Sequence, residues 1–109
     1  MTDEVDEQDR PCPPPPDFAG CEIRDMPIVN RKGLHARATA KFVQCVERFD
    51  AQIKVTRCGE TVGGDSIMGI LTLGAGLGST ISVAARGAQA REALDSLAAL
   101  VAARFGEDE

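Results

Sequence analysis

The apolar residues of this chain change their spacing along its length, and the order of those changes is what most narrows the fold. Phe42, Val43, Val46 and Phe49 recur at helical spacing, with Thr39 and Cys45 near the same stripe. Ala51, Ile53 and Val55 then alternate with Gln52, Lys54 and Thr56, the period of a strand with one buried face. Thr80-Ile81-Ser82-Val83-Ala84 reads as another strand, and Leu94, Leu97, Leu100 and Val101 form a second helical stripe. A one-sided helix and a one-sided strand each need a surface to cover. The fold class this predicts is an α+β sandwich, with helices packed on one face of an antiparallel sheet.

The connections complete the order. Cys21 to Val29 is predicted as the first strand, with Cys21 and Ile23 on one face ahead of Met26, Ile28 and Val29. Pro27 cannot donate to a ladder, so this strand belongs at an edge or carries a bulge. Ala36, Ala38 and Ala40 favour a helix over about residues 36–48. Arg57-Cys58-Gly59-Glu60 predicts a tight turn into a short strand, Thr61-Val62. Asp65 or Ser66 then caps a short helix through Ile67, Met68, Ile70 and Leu71. The order is βαββαβα. Gly74-Ala75-Gly76-Leu77-Gly78 looks like a nucleotide-binding loop, but it follows a helix and opens a strand, the reverse of a dinucleotide fingerprint. It is read as a flexible connection.

Charge and composition remove several functions. Asp3, Glu4, Asp6, Glu7, Asp9 and Asp17 against Arg10 alone account for the whole net charge of -5, so the remainder of the chain is balanced. That balance, with no Trp or Tyr to stack on bases, argues against a broad nucleic-acid surface. Residues 1–20 are acidic and broken by Pro11 and Pro13 to Pro16, the composition of a disordered tail ahead of one domain over 21–109. No apolar run is long enough to insert into a membrane, and the acidic start does not resemble a signal peptide, so the cytoplasm is the expected location. Cys12, Cys21, Cys45 and Cys58 form no C-x-x-C pair, and one histidine completes no zinc pattern. No metal and no cofactor are expected.

That one histidine, His35, stands where a Gly-containing turn gives way to the first helix, with Arg37 two residues later. Arg31, Lys32 and Lys41 add local positive charge. A helix N-terminus offers unpaired N–H groups and a positive dipole end, both suited to an anion. Imidazole beside a guanidinium in such a place can take up a phosphoryl group. Taken alone, the same histidine is more commonly an ordinary capping or surface residue.

Two motifs, in order, carry a resemblance. Gly33-Leu34-His35-Ala36-Arg37 resembles the G-L-H-A-R active-site signature of the HPr phosphocarrier family, from the phosphoenolpyruvate-dependent sugar phosphotransferase system. Asp65-Ser66-Ile67-Met68-Gly69-Ile70 is similar to the S-I-M-G segment around that family's regulatory serine. The resemblance spans about residues 21–104 and implies an open-faced sandwich, four antiparallel strands covered on one face by three helices.

It further implies that His35 accepts a phosphoryl group on Nδ1 from Enzyme I, itself charged by phosphoenolpyruvate. His35 then passes the group to an acceptor of the Enzyme IIA type, with Arg37 stabilising the phosphate. Such a protein is a relay rather than a stand-alone catalyst, and a monomer is expected. Ser66 corresponds to the serine modified by an HPr kinase/phosphorylase. Ile67, Met68 and Leu71 are the candidate docking residues, Met68 the one expected to be exposed. The chain departs from the family pattern at Ala38, where many members have Pro, and at Gly63, Gly64 and Asp65 before the serine. Two rival functions stand beside the relay. One is a regulatory phosphoprotein in nitrogen or carbon signalling that controls a kinase or transcription regulator. The other is a binding module in which His35 is incidental.

Overall fold

The computed structural model describes residues 20–107, so the tail expected over 1–20 lies, apart from Gly20, outside the described residues. Strand β1 (Glu22–Pro27) leads to helix α1 (Ala36–Glu47), strands β2 (Gln52–Arg57) and β3 (Glu60–Gly63), and a short helix α2 (Ile67–Thr72). Strand β4 (Thr80–Arg86) and helix α3 (Ala90–Ala102) follow, and a 3₁₀ turn over Arg104–Gly106 closes the order. The four strands form one antiparallel sheet in the order β1-β4-β2-β3, so β1 and β3 are its edges. Pro27 sits at the end of edge strand β1, where its missing N–H costs no ladder bond.

The two-residue period decides which face is covered. Met26, Ile53, Val55, Ile81, Val83 and Ala85 are buried toward the helices, whereas Asp25, Gln52 and Lys54 face outward. Helix α1 buries the stripe Ala38, Phe42, Val43, Cys45 and Val46, and α3 buries Ala93, Leu94, Leu97 and Val101. The three helices thus cover one face of the four-stranded sheet and leave the other open. Phe42 and Phe105, with 0% and 1% of their surface exposed, supply the aromatic bulk of a core otherwise built from aliphatic residues.

Two local details differ from the sequence reading. The first strand stops at Pro27 rather than Val29, although Ile28 still donates its N–H to the Ser79 carbonyl at 2.8 Å. Ile23 is out of phase with Met26, as the spacing has it, and lies exposed on the open face, paired with Ala84. The glycine-rich run after α2 is not a loose connection. Ala75 is buried, its carbonyl accepts from the Leu34 N–H at 2.8 Å, and Gly78 donates to Ile28 at 3.1 Å. It is the support on which the loop before α1 rests.

Candidate functional site

The loop between β1 and α1 is shaped by Gly33. Its φ is +67°, and a Cβ there would lie 2.5 Å from the Ala75 carbonyl oxygen. Only glycine lets the two loops approach so closely. The chain then enters α1 with His35 as its N-cap, in extended backbone conformation, and the Thr39 N–H bonds to the His35 carbonyl at 2.9 Å. Histidine is an unusual cap, but here it does the work of one. Its Nδ1 accepts from the backbone N–H of Arg37 at 3.3 Å, satisfying one of the helix's unpaired donors.

The other ring nitrogen has a partner from the far end of the chain. His35 Nε2 is hydrogen-bonded to Oε2 of Glu107, and Glu107 Oε1 accepts from Asn30 Nδ2 at 2.9 Å. Asn30 is fully buried, and the same amide nitrogen also donates to the Gly33 carbonyl at 2.9 Å. The Asn30 donor first, and the His35 hydrogen bond second, hold the Glu107 carboxyl below the usual carboxylate range, with burial opposing them. Glu107 is therefore an acceptor, which assigns the ring hydrogen to Nε2 and leaves a lone pair on Nδ1.

What brings Glu107 here is a sharp reversal after α3. Arg104, Phe105 and Gly106 all adopt positive φ, at +59°, +56° and +77°. Phe105 is buried in the core, and its carbonyl accepts from Lys41 Nζ at 2.6 Å. Sequence reasoning counted Lys41 in the basic cluster around the histidine. Its ammonium instead ties down the end of the chain.

Arg37 is exposed, and among the described residues its guanidinium makes no hydrogen bond or ion pair. It stands at the second helical position, two residues after His35, with its five donors open to an incoming anion. Ser66 is half-buried and caps α2, its Oγ accepting from the Gly69 N–H at 3.0 Å. A Cβ on Gly69 would press on that Oγ at 2.8 Å, so the glycine keeps the cap in place. Met68 is 70% exposed and Ile67 43%, Leu71 is half-buried, and Ile70 is the one that goes into the core. Leu77, 61% exposed on the glycine-rich run, adds an apolar side chain that the sequence reading did not pick out.

The missed residues are Asn30, Glu107 and Ala75. Asn30 carried a signal, as a polar residue in an otherwise apolar entry to the turn. Glu107 carried none: it is 72 residues from His35 and sits in an acidic terminus that reads as solvated. Among the described residues, no three metal-binding side chains come together, and no helix is long and apolar enough to cross a membrane.

Comparison with known proteins places this chain among phosphocarriers. The family model described as "PTS HPr component phosphorylation site" matches residues 23–103. The phosphocarrier protein HPr of Cupriavidus necator is 49% identical over 86 residues, covering 79% of this chain and 97% of that protein. The phosphocarrier protein NPr of Shewanella violacea is 39% identical over 84 residues, covering 77% of this chain and 92% of that one. The crystal structure of HPr-C-His from Thermoanaerobacter tengcongensis superposes with a TM-score of 0.78 at 38% identity, covering 81% of this chain and 99% of that one.

Proposed function

The chain belongs to the HPr family of phosphocarrier proteins, and we propose that within it His35 is the residue that carries the phosphoryl group. Proteins of this family relay phosphoryl groups within the phosphotransferase system. The observation that carries the assignment is Nδ1 of His35, which accepts from the Arg37 N–H at the start of α1, with the exposed Arg37 guanidinium two residues along the chain. A nucleophile and an anion site thus occupy the same spot.

In the proposed step the Nδ1 lone pair forms a bond to phosphorus. The bond from phosphorus to the donor's leaving atom breaks, and its electron pair departs with the donor. The Arg37 N–H and guanidinium then donate to the phosphoryl oxygens. The donor is Enzyme I, charged by phosphoenolpyruvate, and the acceptor is a protein or domain of the Enzyme IIA type. Both dock on the apolar surface of Ile67, Met68 and Leu71. The chain works as a cytoplasmic monomer, with a domain over 21–109 behind an acidic tail. Incubation with Enzyme I and phosphoenolpyruvate, followed by intact-mass measurement of the wild type and His35→Ala, tests the assignment.

A second reading is favoured by one specific observation. Ser66 is a half-buried N-cap whose modification adds about −1.5 to −2 charge beside the exposed Met68. A helix N-terminus tolerates that charge, so the effect falls on docking rather than on folding. Modification by an HPr kinase/phosphorylase makes the chain a regulated relay, and similarity to an NPr protein supports a signalling role beside sugar uptake.

A further inference from the structure

Imidazole has two nitrogens that can attack phosphorus, and something must choose between them. We propose that Glu107 is a positioning residue that holds Nε2 of His35 in a hydrogen bond and so directs phosphoryl uptake to Nδ1. This rests on the reading of His35 as the acceptor and deepens it.

Three features of the fold converge on that carboxylate. Asn30 is fully buried, and both groups facing its amide nitrogen, Gly33 O and Glu107 Oε1, are acceptors at 2.9 Å. The amide therefore has one orientation, and it aims Glu107 while fixing the loop that carries His35. Phe105, buried, and Lys41, bonded to the Phe105 carbonyl at 2.6 Å, anchor the turn from which Glu107 reaches back. The backbone there passes through two non-glycine residues at positive φ, a conformation that side chains rarely adopt and that persists only where packing over-determines it.

The chemistry follows from the assigned proton. A carboxylate cannot donate, so Nε2 keeps its hydrogen and its lone pair is unavailable. Nδ1 attacks, the bond to the leaving atom breaks with its electron pair, and no proton moves. The ring that results is positively charged, and the charge lies against Glu107. Hand-over to the acceptor reverses the step and restores the neutral ring. Glu107 touches neither phosphorus nor the donor, so it acts through His35 alone, as a carboxylate orients histidine in other nucleophilic sites.

The test uses phosphoramidate, a small phosphoryl donor that needs no partner protein, on the full chain, with phosphorus and nitrogen NMR reporting which ring nitrogen is modified. A hydrogen bond to a charged group is enough for a preference of about tenfold or more. The wild type is expected to be modified on Nδ1 by at least that margin. In Glu107→Ala the ratio falls several-fold toward Nε2, with Glu107→Gln between the two. The amide spectrum away from residues 30–36 and 103–107 reports that each variant is folded, and a purely structural role for the strap leaves the product ratio unmoved. Wild type modified mainly on Nε2, or one ratio in all three proteins, overturns the proposal. A wild type that takes Nδ1 phosphate from phosphoramidate but none from Enzyme I leaves the role of Glu107 standing and removes the functional reading instead.

Discussion

The backbone N–H of Leu34 donates to the carbonyl of Ala75 at 2.8 Å, so the loop that presents His35 rests on the run that leaves the Ser66 helix. The loop that carries one candidate phosphosite is thereby supported by the segment that follows the helix whose N-terminus Ser66 caps. Variation at this junction separates packing effects from chemical ones.

Gly33→Ala forces a side chain into positive φ and drives its Cβ to 2.5 Å from the Ala75 oxygen. A loss of roughly 1–3 kcal/mol is expected. Gly76→Ala, whose Cβ meets nothing within 4 Å, is the matched control and should cost about 1 kcal/mol at most. Thermal unfolding followed by circular dichroism measures both. Equal melting temperatures for the two variants would count against the close approach described here.

Arg37→Lys keeps a positive charge but loses the planar fork, and Arg37→Gln loses the charge as well. Both keep the backbone N–H that caps on His35. Stability should hardly change, while phosphoryl uptake falls by about tenfold or more in Arg37→Gln and by less in Arg37→Lys. Rapid-quench transfer from Enzyme I gives the rates. A wild-type rate in Arg37→Gln excludes the guanidinium from the site.

Ser66→Ala removes the side chain that accepts from Gly69 and should cost about 1 kcal/mol. Ser66→Asp retains a capping oxygen and adds a charge beside Met68. It should stay near wild-type stability yet slow transfer from Enzyme I. Measuring melting temperature and transfer rate on both variants distinguishes a cap from a regulatory site. Unimpaired transfer in Ser66→Asp removes the regulatory reading.

Glu107 gives a pH dependence of defined sign. Its carboxyl is lowered from 4.5 in the folded chain, by the Asn30 donor first and His35 second. The unfolded chain thus binds the proton more readily at acid pH. The stabilisation is fully present above the unfolded value, from about pH 5 upward, and is lost as pH falls through the lower folded one. The melting-temperature gap between wild type and Glu107→Gln should therefore be constant near neutrality and close below pH 4.5. A gap that widens on acidification contradicts the assignment of Glu107 as the ionised partner.

Much of this was legible because it is periodic. The stripe of Phe42, Val43 and Val46, the alternation of Ile53 and Val55, and the position of Pro27 each express a local rule that the packing obeys. His35 at a helix start was legible for the same reason, since a helix N-terminus is a local object. That Ile23 lies on the open face depends on its pairing with Ala84, which no local spacing records. The bond of Lys41 and the approach of Glu107 were not legible because both are set by the chain folding back after α3. That reversal runs through left-handed residues at Arg104 and Phe105, where glycine would have been the usual signal. The support under His35 was hidden by composition, since a glycine-rich run reads as slack until its carbonyls are seen to be used.

The central claim is that His35 carries the phosphoryl group, and intact-mass spectrometry tests it most directly. The chain is incubated with Enzyme I and phosphoenolpyruvate and then split between neutral and acidic quench. The expected result is a mass increase of one phosphate that survives neutral pH, disappears in acid as a phosphoramidate bond must, and is absent in folded His35→Ala. No adduct on the wild type, or an adduct that persists in His35→Ala, would contradict the account.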